Sequence, residues 1–591
     1  MNSGNSTLLT AVALIAASVA TVAVGAWGWR ISRTTSDFLV ASRTVPPHLN
    51  AAAISGEYLS AASFLGVAGL IAKYGADALW YPVGFTVGYL GLLLFVAAPL
   101  RRSGAYTVPD FAEFRLKSPL VRRSSMVVVV TICVLYLVPQ YQGAGLTLRT
   151  LLGVPTWIGP LAVSAIVIAN VVGGGMRSIT FVQAFQYWLK LTAIAVPALA
   201  ILVVAAPPNP DLGGPLAPVV ARQTTVAVET GVDITVTDPA GVTVSGSLDG
   251  NPANNAVPGA GRHTIAAGST VTLAAGAHTP VVEGAPATGA AWVGSGAGVG
   301  GKHPLYQVLS IIVATFLGAM GLPHVLVRFY TNPDGRAARR SALAVIALLG
   351  GFYLFPTLLA GLARIFVPQM LVTGKTDAAV LLLPSAAIAG TGGQLLGALV
   401  AAGAIAAFLA TSSGLLVGVA GAVSTDLLRG RVRDFRIAAV VGGVLPIPLA
   451  LAASSFELSR GVGLVFAVAA STLCPLLVLG IWWRGLTAAG AVAGLAAGAT
   501  SSAIATLLAV TGWVGDDVLG GWPATVVGYP AAVTVPLAFA TMVMVSRATR
   551  SSVPPDISRV FARMHLPERM GMGVERVPTE RPSTMKTDRT G

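Results

Sequence analysis

The chain has 591 residues, of which 54% are apolar and only 10% charged, with a net charge of +14. Ordinary soluble domains carry about 25% charged residues, so this composition excludes a typical soluble enzyme and points to a polytopic membrane protein. The basic surplus does not signal nucleic-acid binding, because its placement follows membrane topology.

Thirteen apolar runs read as membrane spans, near residues 8–29, 49–72, 76–100, 124–147, 155–173, 180–204, 306–327, 341–366, 394–421, 437–456, 461–482, 486–511 and 528–546. With the N-terminus outside, 28 of the 37 lysines and arginines fall on the cytoplasmic side, and Lys190 sits within a span. The inside clusters include Arg101, Arg102, Arg115, Lys117, Arg122 and Arg123, then Arg328, Arg336, Arg339 and Arg340, then Arg429, Arg431, Arg433 and Arg436. This positive-inside bias predicts N-out, C-in. The first run has no basic leader before Arg30 and is expected to be a retained helix. Cys133 and Cys474 lie in spans and are expected as buried free thiols. The Ala-, Gly- and Arg-rich usage suggests a GC-rich bacterial genome, hence a bacterial plasma membrane.

Residues 1–34 hold the first span, and 35–204 a first group of five spans. An insert at 205–303 precedes a second group of five at 304–484, two last spans at 485–546 and a cytoplasmic tail at 547–591. Five spans per group turn the second upside down relative to the first, which is an inverted repeat. The insert is charge-poor and by topology extracellular. Its segments from Thr224 and Val232 alternate as strands do, with a turn at Pro239-Ala-Gly241. A small β-rich unit and an irregular loop both fit. His263, His278 and His303 are too widely spaced to claim a metal site. The tail is expected to be mostly disordered, with one short helix near 557–565.

Each group opens on a broken helix. The first reads Asn50-Ala-Ala-Ala-Ile-Ser-Gly56-Glu57-Tyr58, the second Phe316-Leu-Gly318-Ala-Met-Gly321-Leu-Pro323-His324. Lipid penalises unpaired backbone amides, so such breaks persist only where protein or a cavity satisfies them. A matched pair marks the binding site of a secondary transporter.

Four motifs in order carry a family resemblance. Ser55-Gly-Glu-Tyr-Leu-Ser-Ala-Ala-Ser-Phe-Leu-Gly66 resembles the first core helix of the sodium:solute symporter family, above all its acetate and monocarboxylate branch. Gly173-Gly-Gly-Met-Arg-Ser-Ile-Thr180, with Gln183 and Gln186, resembles the loop before the fifth core helix. Gly321-Leu-Pro-His324 with Arg328-Phe329 resembles the sixth, and Ser424-Thr-Asp426-Leu-Leu the end of the eighth. The resemblance covers about residues 35–545 apart from the insert. It implies an all-α membrane protein of the leucine-transporter type with a five-plus-five inverted repeat. It implies cation-coupled symport, with sodium as the coupling ion and no further cofactor, rather than an enzyme.

The resemblance places the sodium site at carbonyls of Ala51 and Ile54 and at Ala407, Ala410 and Thr411. Many members carry a hydroxyl residue where this chain has Ala410, and Ser412 is the candidate to compensate. Hydroxyls and carbonyls suit a hard cation, although Thr411 and Ser412 also fit hydroxyls bonded within their own helix. A small carboxylate suits half-helix N-termini, so the amides near Ser55, Gly56 and Gly321 are candidates. Phe316 and Ala319 offer an apolar lining, with Tyr58, Tyr81 and Gln140 as further lining residues. Glu57 is either a coupling residue or a structural partner of the break. His324 reads as a satisfied structural histidine in preference to the alternative, a substrate ligand. Lys190 is expected to snorkel or pair, and Asp426 to act near Arg429. Gln183 stands where many members have Asp, which argues against a proline-type transporter. The expected substrate is a short monocarboxylate such as acetate, propionate or pyruvate. An amino-acid or other organic-solute symporter, or a sensor built on a transporter fold, are the alternatives.

Overall fold

A computed structural model of the chain describes residues 3–29, 41, 45–205, 207, 212–300, 302–428, 430–453, 457–511 and 520–567. Among these residues eleven helices are long and apolar enough to cross a membrane, against the thirteen expected. The difference lies in two segments, Ala62–Arg102 with 41 residues and Ile158–Val204 with 47. At about 1.5 Å per residue each is roughly twice as long as a hydrocarbon core of about 30 Å requires. Each covers two expected spans and holds a glycine in a non-helical conformation, Gly75 at φ 72 and Gly175 at φ 55, ψ −153.

The helices that build the site are α1 (Ser3–Trp29), α2 (Pro47–Tyr58), α3 (Val67–Tyr74), α4 (Trp80–Gly91), α5 (Pro119–Leu152) and α6 (Ile158–Val204). They continue as α7 (Pro304–Gly321), α8 (Pro323–Tyr330), α9 (Gly335–Phe366), α10 (Thr391–Asp426) and α11 (Leu458–Ser471). At the centre stands α10, buried at every residue from 400 to 422 and packed against α1, α5 and α6. Its small residues permit that approach. A Cβ on Gly403 would lie 2.3 Å from the Cβ of Ala193 on α6.

Both expected breaks are present, but the first is displaced. The α2 helix runs on through Ser55 and Gly56 and stops at Tyr58; Leu59 leaves the helix at φ −73, ψ 86. A π-helical turn, Ala62–Gly66, then leads into α3. Gly56 is therefore no unwound position. It is needed because α6 passes so close that a Cβ there would lie 2.1 Å from the Gln183 carbonyl oxygen. The second break falls at Leu322 (φ −75, ψ 113), where Pro323 at the first position of α8 ends α7: proline has no N–H to give and crowds the preceding turn.

The insert is a folded β-unit, not an irregular loop. Its strands are β1 (Thr224–Ala227), β2 (Val232–Val236), β3 (Val242–Leu248), β4 (Asn251–Ala256), β5 (Gly261–Ile265), β6 (Thr270–Leu273) and β7 (Val281–Val282). All pairs are antiparallel, in the order β1-β6-β3-β5-β2-β7, with β4 on β3. Alternate apolar residues, among them Ile234, Val236, Val242, Val244, Val271 and Leu273, form its core. It is stitched to the helical body. Trp292 Nε1 donates to Ile71 O at 2.7 Å, and the Asp77 carboxylate accepts from the N–H groups of Gly298 and Gly296 at 2.6 and 2.9 Å. The helix expected in the tail is present at Ile557–His565; Arg30, Arg429 and the tail beyond 567 lie outside the described residues.

The conformation of Gly175 is one that only glycine adopts freely. Gly175→Ala is expected to lower the thermal unfolding midpoint of the detergent-purified protein, at a cost of about 1–3 kcal/mol. Gly350→Ala is the contrast: an added Cβ meets open space within a regular helix, so the midpoint should stay level or rise.

Candidate functional site

Because α2 stops at Tyr58, the carbonyls of its last turn must find donors other than the next helical turn. Two neighbouring helices supply them. Thr411 Oγ1 on α10 donates to Glu57 O at 2.6 Å. Lys190 Nζ on α6 donates to Leu59 O at 2.7 Å and also to Gly56 O. Beyond the break, the first free amide of the next segment is met as well, since Ala61 N–H donates to Gln140 Oε1 on α5 at 2.9 Å. Lys190 is fully buried, so it does not snorkel; its ammonium is held by backbone dipoles at the negative end of α2.

The Glu57 side chain ties this break to the second one. Its Oε2 lies 2.7 Å from Arg328 Nε on α8, with both side chains 1% exposed. Arg328 Nη1 donates to Thr180 Oγ1 at 2.8 Å, and Nη2 to Gln183 Oε1. Gln183 Nε2 passes the chain on to Ala410 O at 2.8 Å. Asn50 Nδ2 donates to the backbone oxygen of Arg328 at 3.2 Å. One network thus joins α2, α6, α8 and α10. Gly414 makes room for it, since a Cβ there would stand 1.9 Å from Glu57 Oε1.

Arg328 was expected among the cytoplasmic arginines, and this placement corrects that reading. The apolar run from Val325 to Tyr330 around it was the available signal. A fully buried charge in such a run needs a buried partner. The buried ionisable groups described around the breaks are one carboxyl, Glu57, and two basic side chains, Arg328 and Lys190.

The expected sodium residues are brought together in part. Thr411 and Ala410 meet the α2 and α6 groups just described. Ser412 Oγ and Ser413 Oγ are buried without a hydrogen-bond partner among the described residues, as is Glu57 Oε1. Ala407 is buried on the same helix, while Ala51 and Ile54 lie well inside regular α2, short of the break. Unpartnered buried oxygens on α10 and α2 fit a hard cation. The carbonyls that the break itself frees are occupied by Lys190.

Several expected lining residues fall elsewhere. The amides of Ser55 and Gly56 belong to the interior of α2, so they form no half-helix N-terminus. Gly321 ends α7 where a Cβ would lie 2.5 Å from Ala469 O, and serves close packing. Phe316 and Ala319 pack onto α4. The Cβ positions of Gly91 and Gly88 lie 3.3 Å from Phe316 Cζ and 2.5 Å from Ala319 Cβ. Tyr81 sits beside Phe85 and Gly463, away from the breaks. Gln140 and Tyr58 are at the first break. The Tyr58 hydroxyl donates to Phe85 O at 3.0 Å, and its ring meets Tyr89 edge-on at 4.8 Å and Phe466 at 6.2 Å.

Two groups that the sequence did not single out complete the path between the breaks. Tyr136 stands 6.0 Å from Phe466 and 5.3 Å from His324. His324 is 1% exposed, and neither ring nitrogen has a partner among the described residues. The expectation of a satisfied histidine is therefore overturned; a buried polar group left so costs about 1–3 kcal/mol. At the C-terminal end of α10, Asp426 pairs with Arg122 at 2.6 Å, and its expected neighbour Arg429 lies outside the described residues.

Two helices broken within the apolar interior, with their ends joined by buried charge, define a secondary transporter. The chain belongs to the sodium:solute symporter family, whose model matches residues 38–250 and 296–498. It is 30% identical over 521 residues to the uncharacterized symporter YwcA of Bacillus subtilis, covering 86% of this chain and 88% of the relative. It is also 30% identical over 571 residues to a monocarboxylic acid transporter of Corynebacterium glutamicum, covering 93% and 92%. Among solved structures, a sodium-coupled sialic acid symporter in a substrate-bound outward-open state superposes with a TM-score of 0.59. It shares 10% identity, with 91% of this chain and 98% of that one covered. The fold is thus of the leucine-transporter type, and the protein is a multi-pass membrane symporter.

Breaking the Glu57–Arg328 pair from one side leaves a buried charge without its partner. Glu57→Gln or Arg328→Gln alone is expected to cost about 3–5 kcal/mol. The two together should cost clearly less than the sum of the single losses, as measured by thermal unfolding across the double-mutant cycle.

Proposed function

We propose that the protein carries a short monocarboxylate such as acetate, propionate or pyruvate into the cell together with a sodium ion. It would sit in a bacterial plasma membrane with its N-terminus outside and its C-terminus in the cytoplasm. The observation that carries this reading is the surplus of buried donor side chains at the breaks: Lys190 and Arg328 against the single carboxyl of Glu57. Buried donors favour a compact anionic acceptor, and the rings of Tyr58, Tyr89 and Phe466 beside them suit a short alkyl group. The relative described as a monocarboxylic acid transporter supports the same class.

Sodium would be held by oxygens of α10, the carbonyls of Ala407 and Ala410 and the hydroxyls of Thr411 and Ser412, together with α2 at Ala51, Ile54 and Glu57. One sodium ion carried with one monocarboxylate moves no net charge, so the drive is the sodium concentration gradient; each further sodium ion would add about 2.3 kcal/mol per 100 mV of membrane potential. Residues of this chain do the rest. Thr411 already draws α10 to the end of α2, and Lys190 and Gln140 hold the unwound backbone on either side of the break.

Proteoliposomes should take up labelled acetate, with the rate raised by an inward sodium gradient at constant pH. Uptake indifferent to both sodium and proton gradients would overturn the reading. Lys190→Met should reduce uptake at least tenfold, with the folded protein still recovered as a single species on size exclusion.

A further inference from the structure

His324 opens α8 as its second residue, directly after Pro323. The first N–H of this helix with a backbone acceptor is that of Leu326, which bonds Leu322 O at 3.0 Å. The N–H groups of His324 and Val325 precede it in the first turn, where a helix leaves its amides for other acceptors. Proline contributes none. The positive end of the α8 dipole therefore points at the break.

At that point lies an imidazole that is 1% exposed and has no partner on either nitrogen among the described residues. Whatever its protonation state or tautomer, it carries at least one N–H. Its ring meets Tyr136 edge-on at 5.3 Å, and Tyr136 leads through Phe466 to Tyr58 at the first break. On its other side α10 passes at Gly418, where an added Cβ would meet Cys133 Sγ at 3.3 Å and the His324 Cα and Cβ at 3.9 Å. An acceptor seated between the two breaks would thus meet a donor side chain and two backbone amides, walled by aromatic rings.

We propose that His324 binds the carboxylate of the transported acid, its imidazole N–H and the opening amides of α8 donating to the carboxylate oxygens. The alkyl group then lies against Tyr136 and Phe466. This deepens the monocarboxylate reading and rests on it. It also moves the acid from the first broken helix, whose freed carbonyls repel an anion, to the second, whose freed amides attract one.

The test uses the full-length protein in detergent and in proteoliposomes, with acetate, propionate and acetamide as probes. His324→Phe keeps a ring beside Tyr136 but removes the orphan donor. It should leave the unliganded thermal midpoint level or higher, while the half-saturating concentrations of acetate and propionate rise at least tenfold. His324→Gln restores an N–H and should return them to within a few-fold of the wild type. Acetamide, which lacks the charge, should stabilise neither the wild type nor the variants. If the wild type responds to acetate and His324→Phe responds at the same concentration, the role of His324 is overturned and the monocarboxylate reading stands. The role is equally overturned if His324→Phe loses thermal stability and His324→Gln does not recover acetate affinity, because His324 is then a packing residue. A wild type that responds to none of the acids overturns both.

Discussion

The buried pair of Glu57 and Arg328 is the constraint on which the rest of this structure depends. Two ions that are 1% exposed are tolerated in an apolar interior only when nearly every remaining donor and acceptor is also met. Arg328 meets that demand through Thr180 and Gln183, and Gln183 through Ala410. Together the partners span four helices, so the pair fixes how α2, α6, α8 and α10 stand toward one another. It also explains the glycines around it. Gly414 yields the volume the carboxylate occupies, and Gly56 lets α6 come close enough to deliver both Gln183 and Lys190.

Each break frees carbonyls on one side and amides on the other, but the two are satisfied differently, and that difference gives the site its polarity. The first exposes carbonyls at the end of α2, a negative helix terminus, and fills them with Lys190 and Thr411. The second exposes amides at the start of α8, a positive terminus, and leaves beside them a histidine with no acceptor. A cation and an anion seated between the breaks would each find the appropriate end. The inverted repeat produces this without special residues. The helices that open the two repeats run in opposite directions, so one break presents its carbonyls where the other presents its amides.

Much of this fold was legible in the sequence because it is local. Apolar length announced the helices, and period-two alternation announced strands β1 and β2. Pro323 announced the second break, since proline acts on its own backbone. The first break carries no such residue. Gly56 looked like its cause but is spent on packing, and the helix ends two residues later, where Lys190 and Gln140 wait from other helices to satisfy the freed groups. What ends this helix lies 79 and 131 residues away along the chain. For the same reason Arg328 was read by its place near a loop, and His324 by the common fate of a buried histidine. Phe316 and Ala319 were misplaced because a small apolar pair lining a cavity and one packed on the glycines of α4 have the same sequence.

The ion pairs of this molecule form a hierarchy that matches a transport cycle. Glu57 and Arg328 are sealed from solvent, and separating them would strand two charges in a low-dielectric interior. Nearer the two surfaces the pairs are wetter. On one side Lys73, 8% exposed, meets Glu457, 28% exposed, at 2.5 Å, linking α3 to the start of α11. On the other Arg122, 26% exposed, meets Glu113, 32% exposed, and the buried side chain of Asp426, both at 2.6 Å, so each of these pairs has at least one partner reached by water. Partial exposure lowers both the gain of such pairs and the cost of parting them, since water replaces the lost partner. A transporter that opens alternately to each side must break contacts at its rims and keep its centre intact. The cheap pairs stand at the rims and the expensive one stands at the centre, so the helices can part at either end while the broken segments stay in register.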